Sequence, residues 1–321
     1  MKPNMLSPIL LVLVSSVPSA AQTPPPTSMP GLKLSLDELK AQYTHLGVGK
    51  RLKPRAWPNG AKVAVALSFD VDNATVPLSR GQLGSEDLSR GMYGAIDGVP
   101  RILRVLDRQN VPGSFFIPAV SILLNPEMVP SILSYKRHEI GVHGWVHEHL
   151  GTLNDEAEEQ RLLNQSIEAL TKAVGKRPVG YRAPSWAMSR FTMSQVKAAG
   201  FLYDSSLMAS DDAYEVTIDG QPSGVIELPI ERILDDAPYY GAANGSLPSP
   251  ELVDQIYRAE FDVAYQEGGL YVLTMHPHYT GHRPRALWLE KLITYMKSKP
   301  GVWFATHEQV ADYLKKSAMA Q

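Results

Sequence analysis

The chain has 321 residues, a net charge of −2 and a hydrophobic content of 44%, which is an ordinary globular composition. No basic run or basic, aromatic-interleaved stripe is present, so nucleic acid is not expected as a partner. The chain contains no cysteine, which excludes disulfides, thiolate metal ligands and a cysteine nucleophile, so any metal must be held by histidine and carboxylate side chains.

The N-terminus has the features of a secretory signal. Lys2 precedes the short apolar run Leu6–Val17, and small residues at 19–21 offer a cleavage site. We predict a signal peptide over 1–21, a Pro-rich linker over 22–35 and one folded domain over 36–321. The apolar run is short for a membrane span, so we expect an exported chain, periplasmic or secreted, with no span after cleavage; an uncleaved anchor is the alternative.

Strands and helices alternate along the rest of the chain. The predicted strands are Lys62–Asp72, Gly113–Ile117, Glu139–Val142, Gly180–Tyr181, Phe201–Tyr203, Val225–Pro229, Leu270–Met275 and Val302–Ala305. The predicted helices are Leu34–Leu46, Val99–Gln109, Pro126–Lys136, Asn154–Val174, 192–200, Glu251–Glu267, Arg285–Lys299 and 306–316. Thr75–Asp97 and Tyr239–Pro250 are predicted as long loops that shape a pocket, and Asp211–Ser223 as an excursion or hairpin. No Gly-x-Gly-x-x-Gly follows a strand, and the alternation favours a single-domain α/β barrel with its chemistry at the carboxyl ends of its strands.

Polar residues are concentrated where these strands end. His143 and His147 follow one strand, and on a turn, unlike on an extended strand, they are close enough to bind one ion. Asp70 and Asp72 end another strand and point the same way. Two histidines and one carboxylate with an open position form the pattern of a catalytic zinc site. The aspartate that does not bind the ion would then serve as general base. The alternative is a polar loop with exposed histidines and a solvated acid.

Three further groups complete the candidate site. Arg182 follows a strand and can hold a buried aspartate ionised, the alternative being a surface salt bridge. His276 can protonate a leaving amine or stabilise an oxyanion, the alternative being a structural histidine. We assign Trp186, Trp145 and His278 to the substrate pocket, whereas His307 is read only as a first-turn helix residue.

These motifs, in this order, resemble the polysaccharide deacetylase (NodB-homology) superfamily. The resemblance rests on Ser68-Phe-Asp-Val-Asp72, His143-Gly-Trp-Val-His147, Arg182-Ala-Pro-Ser-Trp186, His276-Pro-His-Tyr-Thr-Gly-His-Arg-Pro284 and Gly301-Val-Trp-Phe-Ala-Thr-His307. It implies a distorted (β/α) barrel with a divalent metal, usually zinc. It also implies the roles: Asp70 as base, Asp72, His143 and His147 as metal ligands, Arg182 orienting the base, and His276 as acid. The implied reaction is removal of N-acetyl groups from an N-acetylated glycan of the chitin or peptidoglycan type, by attack of a metal-bound water on the amide carbonyl.

The first motif departs from the usual pattern, because Val71 separates the aspartates and Asn73 replaces a glycine. The other signatures look closer to a branch with peptidoglycan-deacetylase-like and allantoinase-like proteins. Hydrolysis of a small cyclic amide or ureide is therefore the alternative function. A third function considered is that of a non-catalytic carbohydrate-binding protein on the same barrel. The sequence also allows a homo-oligomer.

Overall fold

The structure is a computed structural model that describes residues 30–241 and 247–319. The predicted signal peptide and most of the linker lie outside the described residues and stay predictions. In the described part of the chain, no helix is both long enough and apolar enough to cross a membrane. The chain divides after Gln42 into two compact units, and Tyr43–Gln321 contains the sheet and the candidate site.

From Pro30, the first described residue, the chain forms a 3₁₀ turn, Pro30–Lys33, and then helix α1, Leu36–Thr44, which starts in the N-terminal unit. A reciprocal cap starts the helix. The Ser35 hydroxyl accepts the Glu38 N–H at 3.3 Å, and the Glu38 carboxylate accepts the Ser35 N–H at 2.7 Å. Ser35 and Glu38 therefore form a capping box at the start of α1.

A strongly curled mixed sheet forms the core of the second unit. Its strands are β1 Leu46–Arg51, β2 Val63–Asp70, β3 Ser114–Ile117, β4 Glu139–Val142, β5 Gly180–Tyr181, β6 Tyr203–Asp204, β7 Tyr214–Ile218, β8 Gln221–Glu227, β9 Leu270–Met275 and β10 Val302–Ala305. The order is β1-β7-β8-β6-β5-β4-β3-β2-β10, with β9 also paired to β2. The β1–β7 and β7–β8 pairs are antiparallel and the others are parallel.

The central strand β2 is buried along its whole length, as its continuous apolar run predicts. It pairs with β9 over Ala64–Phe69. Its first half also pairs with β10, and its second half pairs with β3. Beyond β8, a single parallel bridge between Asp235 and Thr274 connects the chain to β9. This curled sheet agrees with the predicted distorted barrel.

The helices connect the strands and pack outside the sheet. After α1 they are α2 Thr75–Ser79, α3 Ser85–Tyr93, α4 Val99–Gln109, α5 Ala119–Leu124, α6 Met128–Leu133, α7 Leu150–Leu153, α8 Glu156–Val174, α9 Thr192–Ala198, α10 Ala237–Tyr240, α11 Pro250–Glu267, α12 Pro277–Thr280, α13 Arg283–Lys297 and α14 His307–Met319. Helix α8 carries a cap at each end. Asp155 accepts the Glu158 N–H at 3.0 Å at the start of α8, and Gly175 ends that helix in a left-handed conformation.

Two parts of the sequence prediction were wrong. Strand β1 was not predicted, because Gly47 and Gly49 weaken its strand pattern. A Cβ at Gly47 would lie 2.7 Å from the Thr217 hydroxyl, so the glycines allow β1 to approach β7 closely. Thr75–Asp97 is not a loop but contains α2, α3 and a π turn over Gly94–Gly98.

The excursion predicted over Asp211–Ser223 contains the β7–β8 hairpin. Asp219 and Gly220 form its turn, with φ angles of +49° and +75°. The predicted strand Phe201–Tyr203 begins later, at Tyr203, as β6.

Substitution of Gly180 by alanine should destabilise the chain, since an added Cβ would overlap the buried Tyr203 ring on the neighbouring strand. We expect a loss of about 1–3 kcal/mol of unfolding free energy, measured by urea denaturation. Gly31→Ala is the control, because no atom lies within 4 Å of its added Cβ. Equal stabilities of the two variants would contradict the close β5–β6 contact.

Candidate active site

A polar cavity of about 490 Å³ lies at the carboxyl ends of the parallel strands. Most of the predicted site residues line it: Asp70, Asp72, His143, His147, Trp186, His276 and His278. Arg182 lies behind the lining, fully buried against Asp70. The strand ends thus bring together side chains that are far apart in the sequence.

A tight turn directs His143 and His147 toward Asp72. The chain leaves β4 and turns through Gly144 and His147, whose φ angles are +74° and +63°. His143 Nε2 lies 3.5 Å from one carboxylate oxygen of Asp72, and His147 Nε2 lies 3.6 Å from the other. The two imidazole centroids are 5.1 Å apart, so the predicted turn geometry of this histidine pair is confirmed.

This donor set fits a divalent metal ion. The three ligand atoms lie within 4.8 Å of one another, and all three residues are buried. His143 Nδ1 donates to the Arg182 carbonyl at 2.8 Å, which leaves Nε2 as the lone-pair nitrogen toward Asp72. Burial lowers the pKa of His143 and lowers that of His147 to about 4, so both imidazoles are neutral and could bind a cation.

Asp72 offers a carboxylate oxygen that could bind a cation. Burial raises the pKa of its carboxyl group, and Oδ1 has no hydrogen-bond partner among the described residues. A buried carboxylate without a partner is unfavourable. A cation bound between Asp72, His143 and His147 would compensate its charge.

Asp70 and Arg182 form the buried ion pair that the sequence predicts. Arg182 Nη1 donates to Asp70 Oδ1 at 2.7 Å, while Asp70 Oδ2 lies 3.7 Å from His143 Nε2. Burial opposes ionisation of Asp70, but the charge and the hydrogen bond of Arg182, with the charge of His276, outweigh it and lower the pKa of the carboxyl group. Asp70 is therefore an ionised carboxylate with one oxygen facing the metal ligands.

His276 forms the opposite kind of pair with Asp236, a residue that sequence reasoning missed. Its Nδ1 lies 2.7 Å from Asp236 Oδ1, and the same carboxylate accepts the backbone N–H groups of His276 and Thr280. Burial lowers the pKa of His276, but Asp236 and Asp235 outweigh burial and raise it well above its ordinary value. His276 Nε2 lies 3.7 Å from Asp72 Oδ2, so the protonated imidazole faces the metal ligands.

Comparison with known proteins agrees with this geometry. The family model "Polysaccharide deacetylase" matches residues 90–203. A peptidoglycan deacetylase of Helicobacter pylori is 29% identical over 80% of this chain and 98% of its own length. The crystal structure of a Mycobacterium smegmatis protein classed as a polysaccharide deacetylase is 36% identical, covers 85% of this chain and 96% of that chain, and superposes with a TM-score of 0.77.

The chain belongs to the polysaccharide deacetylase family. It is accordingly a hydrolase that acts on carbon–nitrogen bonds. The crystal structure of the allantoinase Puue covers 85% of this chain and 94% of that chain, with a TM-score of 0.73 and 22% identity. That similarity shows a shared fold.

Like Asp236, His307 belongs to the site although the sequence did not predict it. It begins α14, as expected, but its side chain is fully buried and its Nε2 lies 3.4 Å from Arg182 Nη2. The Ser114 hydroxyl donates to Glu139 at 2.8 Å and therefore accepts from His307 Nδ1 at 3.0 Å. That tautomer leaves Nε2 as an acceptor toward Arg182.

The pocket assignments are only partly supported by the cavity lining. Trp186 and His278 line the cavity, and Trp186 lies in a strained turn with a φ angle of +57°. Trp145 is not among the lining residues. It is half-buried in the turn after His143, where its backbone N–H donates to the Glu148 carboxylate. Being near the ligands in sequence did not bring this side chain to the cavity.

Removal of the Arg182 charge should be costly mainly because Asp70 is left buried and unpaired. We expect Arg182→Met to lower the unfolding free energy by about 3–5 kcal/mol. The double variant Arg182→Met/Asp70→Asn should recover part of that loss, as measured by urea denaturation.

The control is Arg108→Met, which breaks an exposed ion pair with Glu290 and should cost less than about 1 kcal/mol. If the single variant Arg182→Met and the double variant were equally unstable, the ion pair would not be the source of the loss.

Proposed function

We propose that the chain is a metal-dependent hydrolase that removes N-acetyl groups from an N-acetylated glycan. The observation that carries the proposal is the buried Asp72-His143-His147 cluster, with the ionised Asp70 on one side and the protonated His276 on another. The similarity to a peptidoglycan deacetylase over nearly that protein's whole length supports a glycan rather than a small ring as substrate.

Asp72, His143 and His147 would hold the ion, which we propose is Zn²⁺ because two imidazoles and one carboxylate suit it. When bound, the ion supplies Lewis-acid chemistry that polarises the amide carbonyl and makes water more acidic. The lowered pKa values of the two histidines keep their nitrogen lone pairs available for it.

Asp70 is the general base of the proposed reaction. Its Oδ1 is occupied by Arg182, so Oδ2 is the atom that takes the proton from the attacking water. The pair with Arg182 serves two purposes, since it fixes the carboxylate and keeps it ionised. The water oxygen then forms the new bond to the acetyl carbon.

His276 is the general acid. Asp236 holds Nδ1–H, which leaves the proton on Nε2 directed toward the cavity. As the carbon–nitrogen bond breaks, this proton passes to the nitrogen, and the products are acetate and a free amine. The proton taken by Asp70 and the proton given by His276 balance the hydrolysis.

Metal content and acetate release test this proposal together. The purified chain should contain about one zinc per molecule and release acetate from N-acetylglucosamine oligomers. Chelation should abolish the release, and added Zn²⁺ should restore it. His147→Ala should lose both metal and activity, whereas the matched control His149→Ala should keep both, because His149 is exposed and outside the cavity lining.

Full acetate release by a metal-free chain would overturn the metal assignment. A chain that releases no acetate from any N-acetylated glycan but opens a hydantoin-type ring would instead be a cyclic amide hydrolase.

Asp236→Asn tests the role of His276. We expect kcat for acetate release to fall by about 10²–10⁴-fold while the metal content is unchanged. Burial alone lowers the pKa of His276 and Asp236 raises it, so the substitution lowers that pKa. Since the acid is active when protonated, the alkaline limb of the pH–rate profile should move to lower pH.

The control is Asp262→Asn, because Asp262 lies outside the cavity lining and pairs with Lys299. An unchanged kcat in Asp236→Asn, or a lost metal ion, would argue against a positioning role for Asp236.

A further inference from the structure

Two acidic residues that the proposed reaction does not use are buried side by side in the sheet. Asp204 of β6 and Glu227 of β8 are register partners, so their side chains point to the same face of the sheet. Both residues are fully buried, and together they are called the acid pair below. Like charges directly opposite each other on neighbouring strands are destabilising, so the acid pair needs a physical explanation.

Tyrosines continue this row of side chains on both sides of the acid pair. Tyr181 of β5 is the register partner of Asp204, and Tyr214 of β7 is the register partner of Glu227. Burial and neighbouring carboxyl groups raise the pKa of both phenols, so the tyrosines stay uncharged. The side chains on the two flanking strands therefore supply no charge to the acid pair.

The acid pair also has no cation of its own. Neither carboxyl group forms an ion pair with a described residue. The charge of Arg182 acts on Asp204, but the guanidinium is bound to Asp70 at 2.7 Å. Lys197, on helix α9 beside β8, binds the Pro222 carbonyl near the start of that strand. Two ionised carboxylates in contact without a cation are unstable in a buried site, so the acid pair retains a proton.

The hydrogen bonds assign that proton to Glu227. Asp204 accepts at both oxygens, because the Ser206 hydroxyl donates to Oδ1 at 2.9 Å and the Ser206 N–H donates to Oδ2 at 3.0 Å. Glu227 Oε1 accepts the N–H groups of Ser206 and Leu207, each at 2.9 Å. Among the described residues, Glu227 Oε2 has no hydrogen-bond partner. A proton on Oε2 lets it donate to Asp204, and burial raises the pKa of both carboxyl groups in agreement.

The residues that follow the acid pair hold the buried arginine of the site. Ser205 accepts from Arg182 twice, with its carbonyl from Nε at 2.9 Å and with its hydroxyl from Nη2 at 2.8 Å. The same hydroxyl donates to the Leu228 carbonyl, one residue beyond the acid pair, at 2.8 Å. The Ser206 hydroxyl, which donates to the acid pair, accepts the Ala183 N–H at 2.8 Å. The ends of β6 and β8 must therefore stay together for Arg182 to keep these partners.

We propose that the acid pair shares one proton and that this proton keeps Ser205 bound to the Arg182 guanidinium. Asp204 and Glu227 are thereby positioning residues for the proposed base, Asp70. When the proton is lost at alkaline pH, the two carboxylates repel each other and the ends of β6 and β8 separate. Ser205 then withdraws from Arg182, and Asp70 loses its fixed orientation. The effect on catalysis rests on the proposed function, whereas the shared proton does not.

The pH dependence of unfolding counts the shared proton. In the unfolded chain both carboxyl groups ionise near their ordinary pKa values of about 4. The native chain holds the proton to higher pH, so the acid pair lowers the unfolding free energy as the pH rises above about 4, until the native chain loses the proton as well. Glu227→Gln, which has a donor N–H in place of the proton, should change the slope by one proton per molecule. Glu267→Gln is the control, because Glu267 is exposed on α11, and it should keep the slope.

An NMR measurement follows Arg182 directly. The Nε–H group of Arg182 is buried against Ser205, so it should give a signal that is protected from exchange with solvent. Arg182→Lys identifies this signal by its loss. In the parent chain the signal should disappear at alkaline pH, and in Glu227→Gln it should persist to higher pH.

Kinetics test the positioning role at neutral pH. Glu227→Ala leaves the N–H groups of Ser206 and Leu207 without this acceptor and Asp204 without its proton donor. We expect kcat for acetate release to fall about tenfold, with KM and zinc content unchanged. Glu227→Gln should restore kcat, because the amide reproduces both hydrogen bonds.

A slope that Glu227→Gln leaves unchanged would overturn the shared proton. Loss of the Arg182 signal at the same pH in the parent and in Glu227→Gln would reject the link to Arg182. If Glu227→Ala does not fold, these two measurements on Glu227→Gln still decide. If the parent chain releases no acetate, the proposed function fails, and the slope and the NMR signal judge the acid pair separately.

Discussion

The catalytic end of this barrel depends on one buried positive charge, the guanidinium of Arg182. A charge without access to water is stable only when its N–H groups are all bound and an opposite charge is close. Asp70 supplies the opposite charge. The other N–H groups of the Arg182 guanidinium are accepted by Ser68, Ser205 and His307. These partners come from the central strand, from the end of β6 and from the last helix. Satisfying Arg182 therefore fixes where these elements lie relative to one another.

The requirement extends from Arg182 into the core. His307 holds the tautomer that accepts from Arg182 only because Ser114 accepts from its other nitrogen and donates to Glu139. Burial raises the pKa of Glu139, and the Tyr203 hydroxyl and the Glu308 N–H also donate to its carboxyl group. The Tyr203 ring reaches Glu139 across the space that Gly180 leaves free. Gly180, in the two-residue strand β5, is thus coupled to the orientation of the Asp70 carboxylate.

The sequence predicted those parts of the site that a single segment encodes. Apolar runs that end in polar residues placed Asp70, Asp72, His143, His147, Arg182 and His276 at strand ends, and the structure brings them together. Asp236 and His307 were missed because their partners lie far away in the sequence, just after β9 and β5, and no local pattern marks them. Strand β1 and the helices over Thr75–Asp97 were missed because Gly47, Gly91 and Gly98 allow close packing there rather than marking turns. Tertiary contacts, unlike periodicity, are not visible in one chain.

The two ion pairs of the site shift two pKa values in opposite directions, and in each pair the cause is a buried opposite charge. At Asp70 a buried cation holds a carboxylate ionised, and at His276 a buried carboxylate holds an imidazole protonated. Each pair is buried, so water does not weaken the shift. Asp70 Oδ2 and His276 Nε2 face the same ligand cluster, so the proposed proton acceptor and the proposed proton donor lie at one site. Opposed pKa shifts at a shared cavity are what hydrolysis of an amide near neutral pH requires.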